Sequence, residues 1–199
     1  MDRFERAVAA FDRENARDPT SVVVGGVARP REVVDAERRA AWVERLAPDA
    51  SEALRLAARC QHLGRFEIPR SSYPEGRLGY LAWRKELGRH HAARARAILR
   101  EAGYEDGTIL RVEDIVQKRA LKIDPEAQTM EDALCLAFLA HELDEFRDKH
   151  PPEKVVDILR KTWRKMSDRG HALALGLALS PASAALVARA LDAPPSVDE

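Results

Sequence analysis

The sequence predicts an all-α fold: one compact, bundle-like domain of eight or nine helices over residues 1–193, with a frayed tail at 194–199. Three observations predict it. Ala, Leu, Arg and Glu, all good helix formers, dominate the chain. In the longest uninterrupted stretch, apolar residues recur at three- and four-residue steps. Prolines and glycines fall between such stretches, and a single β-branched run, Val22-Val23-Val24, breaks the helical text.

The elements follow in order. A first helix covers about residues 3–15, and a loop over 18–26 holds the valine run as one short extended segment with no evident partner strand. A second helix starts after Pro30 and stops before Pro48. Asp49 with Glu52 three residues on forms a capping-box pattern for the third helix, which carries Ala53, Leu54, Leu56, Ala57, Cys60 and His62. Residues 65–77 form a loop, because Pro69, Pro74, Gly76 and two serines forbid a long helix. A fourth helix spans about 78–102 and ends at Gly103. Thr108 opens a fifth, and Asp124-Pro125 opens a sixth that runs to about Lys149. Pro151-Pro152 begins the seventh, Ser167 caps the eighth, and Ser180-Pro181 starts the ninth.

Lys plus Arg and Asp plus Glu number 33 each, so the formal net charge is zero. Bulk electrostatic capture of DNA, RNA or an anionic membrane surface is therefore not expected. No apolar run reaches the roughly 18–20 residues of a membrane span, and the N-terminus lacks the order of a secretory signal. Cys60 and Cys135 lie inside apolar helical stretches and read as buried small residues, which points to a reducing cytosol. No Gly-rich phosphate loop, GxSxG or HExxH occurs.

Glu131 and Asp132 lead directly into the apolar stretch 133–140, so at least one acid faces inward and needs arginines, backbone donors or a metal ion to offset its burial. On the fourth helix, Tyr80, Trp83, Leu87, His91, Ala95 and Ile98 form an apolar stripe that carries His91, while His90 falls beside Arg94 on the outer side. His62 ends the third helix. Two imidazoles with two carboxylates suit manganese, iron, cobalt, nickel or zinc. Arg65, Arg70 and Arg84, with Tyr73 and Tyr80, supply guanidinium and hydroxyl donors for phosphate. Lys161 and Lys165 share one face near a helix C-terminus, where the macrodipole favours cations. Lys165-Met166-Ser167 matches a class I aminoacyl-tRNA synthetase tripeptide, but an all-helical chain lacks the nucleotide-binding α/β domain that such an enzyme requires.

Together, Gln61-His62 with Arg65, Ile68-Pro69-Arg70, Tyr73-Pro74, Gly79-Tyr80 with Trp83-Arg84, His91-Ala92, Gly103-Tyr104, Gln128 with Glu131-Asp132, and Lys161-Thr162-Trp163 with Lys165-Met166-Ser167 resemble the family called domain of unknown function 4202. Some members of that family carry a glutamyl-tRNA synthetase label. Phe66 stands here where the family pattern has tryptophan. More distantly, the chain is similar to the HD-domain metal-dependent phosphohydrolases, although it has no His-Asp dipeptide.

The leading expectation is a metal-dependent hydrolase acting on a small phosphorylated compound such as a nucleotide. His62, His91, Glu131 and Asp132 would hold a divalent transition metal, with one of the acids able to serve as general base instead. Lys165 would balance charge at the reacting centre, and Arg65, Arg70, Tyr73, Tyr80, Arg84 and Lys161 would bind the substrate. The alternatives are a non-catalytic helical module that binds RNA or a protein partner, and a non-haem iron oxygenase using the same ligands.

Overall fold

A computed structural model describes residues 1–192 of the chain, so the tail expected at 194–199 lies outside the described residues. The fold is all-α: among the described residues, ten α-helices accompany one two-stranded hairpin. The chain forms two compact units, Met1–Met130 and from Glu131 onward.

In the first unit, α1 (Arg3–Asn15) begins with a reciprocal cap. The Asp2 carboxylate accepts from Glu5 N at 2.8 Å, and Glu5 Oε2 accepts from Asp2 N at 2.9 Å. The valine run does find a partner. Strand β1 (Ser21–Val24) pairs antiparallel with β2 (Val27–Pro30) across Gly25 and Gly26, both at positive φ. That two-glycine turn is the hairpin signal, and Ala28, Arg29 and Pro30 disguise the second strand. Helix α2 (Arg31–Leu46) follows directly. The start of α3 (Glu52–Cys60) differs from the capping box expected at Asp49: Ser51, extended at ψ 156°, caps it by accepting from Leu54 N at 3.1 Å.

Helix α4 (Gly76–Glu101) buries Gly79, Trp83, Leu87, His91, Ala95 and Leu99, a pure four-residue ridge. His91 is inward as the stripe predicts, but Tyr80 is 45% exposed and gives its place to Gly79. Glycine is required there, since a Cβ would lie 1.9 Å from the Pro74 carbonyl oxygen. Helix α5 (Asp106–Val116) opens one turn-half earlier than Thr108 and is tied to α4 by Arg96 Nε donating to Glu113 at 2.7 Å. Three non-glycine residues then adopt positive φ: Lys118, Ala120 and Lys122. Arg111 closes this segment by binding both Asp124 and Glu126, and Asp124 caps α6 (Pro125–His141) as the Asp-Pro signal predicts.

In the second unit, the long sixth helix of the sequence reading breaks into α6 and α7 (Leu143–Asp148), because Glu142 leaves the helical region at φ −120°. No proline or glycine marks that break. Helix α8 (Pro152–Lys165) packs on α10 (Pro181–Asp192) through Val155, Leu159, Leu186 and Ala190, which are buried. The Asp144 carboxylate accepts from Ser180 and Ser183 hydroxyls at 2.6 Å each and ties α7 to the start of α10. Between them lies α9 (Asp168–Leu175), capped by Ser167 as expected.

Candidate functional site

The first unit brings His62 and His91 together, their ring centroids 5.7 Å apart. Three elements do this. Helix α4 carries His91 on its buried ridge, the turn after α3 carries His62, and α2 supplies the groups behind them. Arg39, only 3% exposed, points its guanidinium at Glu32 Oε1 (3.4 Å), the Ala58 carbonyl (3.5 Å) and His62 Nδ1 (3.2 Å).

These contacts assign both imidazole tautomers. A guanidinium only donates, so His62 Nδ1 is the acceptor and the ring proton sits on Nε2. A backbone carbonyl only accepts, so His91 Nδ1–H donates to Leu63 O at 2.8 Å and its Nε2 keeps a lone pair. Burial, and after it the Arg39 charge, holds the His62 pKa well below the ordinary histidine value. Burial likewise pushes His91 down to about 4, against the opposing hydrogen bond to Leu63. Both rings are therefore neutral at pH 7, one offering N–H and the other a lone pair.

A cavity of about 70 Å³ opens beside them, lined by Gln61, His62, Arg65, Arg84, His91 and Lys118, with Leu87 and Val116 as its apolar floor. Among the described residues no carboxylate lines it. Arg65 lies over the Trp83 ring at 5.5 Å, and Trp83 Nε1 donates to the Ile68 carbonyl at 2.9 Å, so the 65–68 turn is fastened to α4. Arg84 makes no ion pair among the described residues, and Lys118 is one of the residues at positive φ. Arg65, Arg84 and Lys118 thus share the cavity lining with the two neutral imidazoles.

Other candidates have different company. Arg70 donates to the Tyr73 and Pro74 carbonyls at 2.9 and 2.8 Å and so holds its own turn closed. Tyr73 is half-buried, and the exposed Tyr80 ring lies 5.9 Å from Trp83. His90 reaches Glu67 at 3.0 Å.

In the second unit, Glu131 and Asp132 are both buried, where the helix pattern required only one of them to face inward. Asp132 Oδ1 accepts from Ser167 N at 2.8 Å and Oδ2 from the Ser167 hydroxyl, which itself accepts from Gly170 N at 3.2 Å. The carboxylate thus sits on the N-terminus of α9, where backbone donors and the macrodipole offset its burial. Gly170 makes room for it: a Cβ there would lie 2.8 Å from Asp132 Oδ1. Lys165 Nζ lies 3.9 Å from Glu131 Oε1, and Lys161 pairs with Asp157 at 2.7 Å on the surface. Trp163 and His171 stack at 4.2 Å, nearly parallel. Among the described residues, no group of three or more His, Cys, Asp or Glu side chains is placed to hold a metal ion. No described helix is long and apolar enough to cross a membrane.

A family described as "Domain of unknown function (DUF4202)" matches residues 5–187. The chain belongs to this DUF4202 family. No curated protein and no solved structure matches the chain. Some of the residues that carry the DUF4202 resemblance fall in one or other of the two groups just described. Gln61, His62, Arg65, Trp83, Arg84 and His91 gather at or beside the cavity, while Glu131, Asp132, Lys165 and Ser167 gather at the start of α9. Sequence reasoning missed Glu32, Arg39 and Lys118. An arginine and a glutamate on an amphipathic helix read as surface, and the one available signal was that Glu32 and Arg39 are seven apart and so share a face.

Proposed function

We propose that the chain is a hydrolase acting on a small phosphorylated compound, with the phosphate held in the cavity of the first unit. The observation that carries this reading is the cavity wall: cationic Arg65, Arg84 and Lys118, no carboxylate among the described lining residues, and two neutral imidazoles of opposite tautomer. The guanidiniums would neutralise the phosphoryl oxygens, and His62 Nε2–H would donate to one of them. His91 Nε2 would accept a proton as water attacks phosphorus, then return it to the leaving oxygen as the P–O ester bond breaks. The arriving phosphate charge opposes the effect of burial and raises the proton affinity of His91 when it is needed.

One observation favours a metal-dependent alternative, in which the His91 Nε2 lone pair would hold the cation and would not serve as the base. A His whose Nδ1–H is held by a backbone carbonyl aims Nε2 as a metal-bound imidazole does. A divalent cation such as manganese would supply Lewis-acid polarisation of the phosphoryl group. The cavity donors alone, one N–H, one lone pair and three cations, suit it only in company with the phosphate.

The test is binding and turnover on the whole chain. Inorganic phosphate titrated against the protein should broaden or shift its phosphorus NMR signal, and Arg84→Ala should weaken this about tenfold or more, equivalent to roughly 1.4 kcal/mol. A screen of sugar phosphates and nucleotides, with chelator and with manganese, should find a substrate whose hydrolysis His91→Ala abolishes. Phosphate binding without turnover of any phosphoester would return the helical binding module. Absence of phosphate binding would defeat the proposal.

A further inference from the structure

Gln61 stands immediately before His62 and is 3% exposed. Its Nε2 donates to the Val116 carbonyl at 2.9 Å, which fixes the amide orientation. Its Oε1 is buried and, among the described residues, has no hydrogen-bond partner. A buried acceptor left unmade costs about 1–3 kcal/mol, so a working site supplies it with a donor. Phosphate oxygens that bind guanidinium are acceptors and cannot fill that role. His91, which lines the same cavity, keeps an acceptor at Nε2. The residues that line the cavity therefore carry two kinds of group: donors on Arg65, Arg84, Lys118 and His62, and acceptors on Gln61 and His91. A molecule that satisfies both acceptors and still presents a lone pair to phosphorus carries two O–H donors on one oxygen.

We propose that Gln61 positions the attacking water, which donates one hydrogen to Gln61 Oε1 and the other to His91 Nε2. This rests on the reading of the cavity as a phosphate site. In the step, the water oxygen bonds to phosphorus, the hydrogen on His91 transfers to Nε2, and Gln61 holds the second hydrogen without taking it. The leaving oxygen departs with the electrons of the broken P–O bond and recovers the proton from His91. Gln61 thus touches the nucleophile and fixes its line of approach, the kind of placement whose loss costs about 100-fold in rate.

Inorganic phosphate labelled with oxygen-18 tests this without knowledge of the natural substrate. Reversible water attack on bound phosphate washes the label into solvent, and phosphorus NMR reads both its binding and its loss. With and without manganese, the wild-type chain should bind phosphate and, in at least one condition, exchange the label faster than buffer. Gln61→Leu should bind phosphate within about twofold of wild type but exchange about 100-fold more slowly. Exchange unchanged in Gln61→Leu, or binding and exchange lost together, overturns the role of Gln61 and leaves the phosphate site standing. Binding or exchange absent from the wild type overturns the reading beneath it, and this inference with it. Should Gln61→Leu not fold, a crystal structure of the wild-type chain with phosphate serves instead. A water about 3 Å from both Gln61 Oε1 and His91 Nε2 is expected, and a phosphate oxygen or an empty gap there refutes the assignment.

Discussion

Arg39→Met tests the electrostatic frame behind the two histidines. The substitution keeps an extended side chain but removes a guanidinium that is 3% exposed and touches Glu32 Oε1, His62 Nδ1 and the Ala58 carbonyl. Glu32 is left as a buried carboxylate without its cation, and removing one member of a buried pair costs about 3–5 kcal/mol. That is the expected loss at pH 8. Acid should return part of it. His62 Nδ1 lies 3.7 Å from Glu32 Oε1, and Arg39 is, after burial, the strongest influence holding His62 neutral. Without Arg39, His62 can take a proton in the folded state and pair with Glu32. In the wild type the folded pKa of His62 is depressed, so the unfolded chain binds that proton first and stability falls as pH drops below about 6.5. The variant escapes this part of the acid loss. The gap between the two proteins should therefore narrow by about 2 kcal/mol between pH 8 and pH 5, at about 1.4 kcal/mol per pH unit over the lower half of that range. Urea unfolding followed by circular dichroism at pH 8, 6.5 and 5 measures it. A gap that is constant or widens toward pH 5 would refute the reasoning. So would narrowing that survives in Arg39→Met/His62→Gln, since the proton would then be on Glu32.

The other predictions concern local packing and titration. The His91 carbon-bound ring protons should titrate in NMR with a midpoint near the value of about 4 set by burial; a midpoint near 6.5 would contradict its buried, neutral state. Its depressed folded pKa removes stability as pH falls from 6.5 toward 4, about 3 kcal/mol in all, and His91→Gln should flatten that part of the acid profile. Asp132→Asn halves the acceptors offered to Ser167 N–H and Oγ–H and should cost about 1–3 kcal/mol in thermal melts; an unchanged melt would deny Asp132 its place at α9. Gly79→Ala drives a methyl into the Pro74 carbonyl and should destabilise by at least about 1–3 kcal/mol, whereas Gly107→Ala meets nothing within 4 Å and should stabilise by about 0.4–1 kcal/mol.

The helical reading succeeded where local chemistry sets the structure. Asp124-Pro125, Ser167 and Ser180 each mark a start that a side-chain oxygen caps. The burial of His91 was legible because Trp83, Leu87, His91 and Ala95 repeat at the helical step. The hairpin hid because one of its strands contains Ala28, Arg29 and Pro30, and the break at Glu142 hid because nothing in its composition is unfavourable to helix. Within the site, Arg39 is one of four arginines on α2, and no periodicity distinguishes the arginine that pairs inside from those that solvate. That one of Glu131 and Asp132 turns inward was readable from residues 133–140, but the partner of Asp132 lies 35 residues onward, a distance that only tertiary structure closes.

The guanidinium that lies over Trp83 has an optical consequence. A cation held against an indole face perturbs its excited state, and Arg65 stands both on that ring and in the lining of the cavity. An anion that draws Arg65 toward itself loosens it from the ring, so the intrinsic emission of Trp83 becomes a signal for occupancy of the site. Trp42, beneath Arg45 at 4.4 Å, and Trp163, stacked on His171, are the other two tryptophans, and neither of those ring partners is a cavity residue. With Trp42→Phe and Trp163→Phe in place, the chain would carry a single indole beside the pocket, a built-in fluorophore for following ligands that no dye need report.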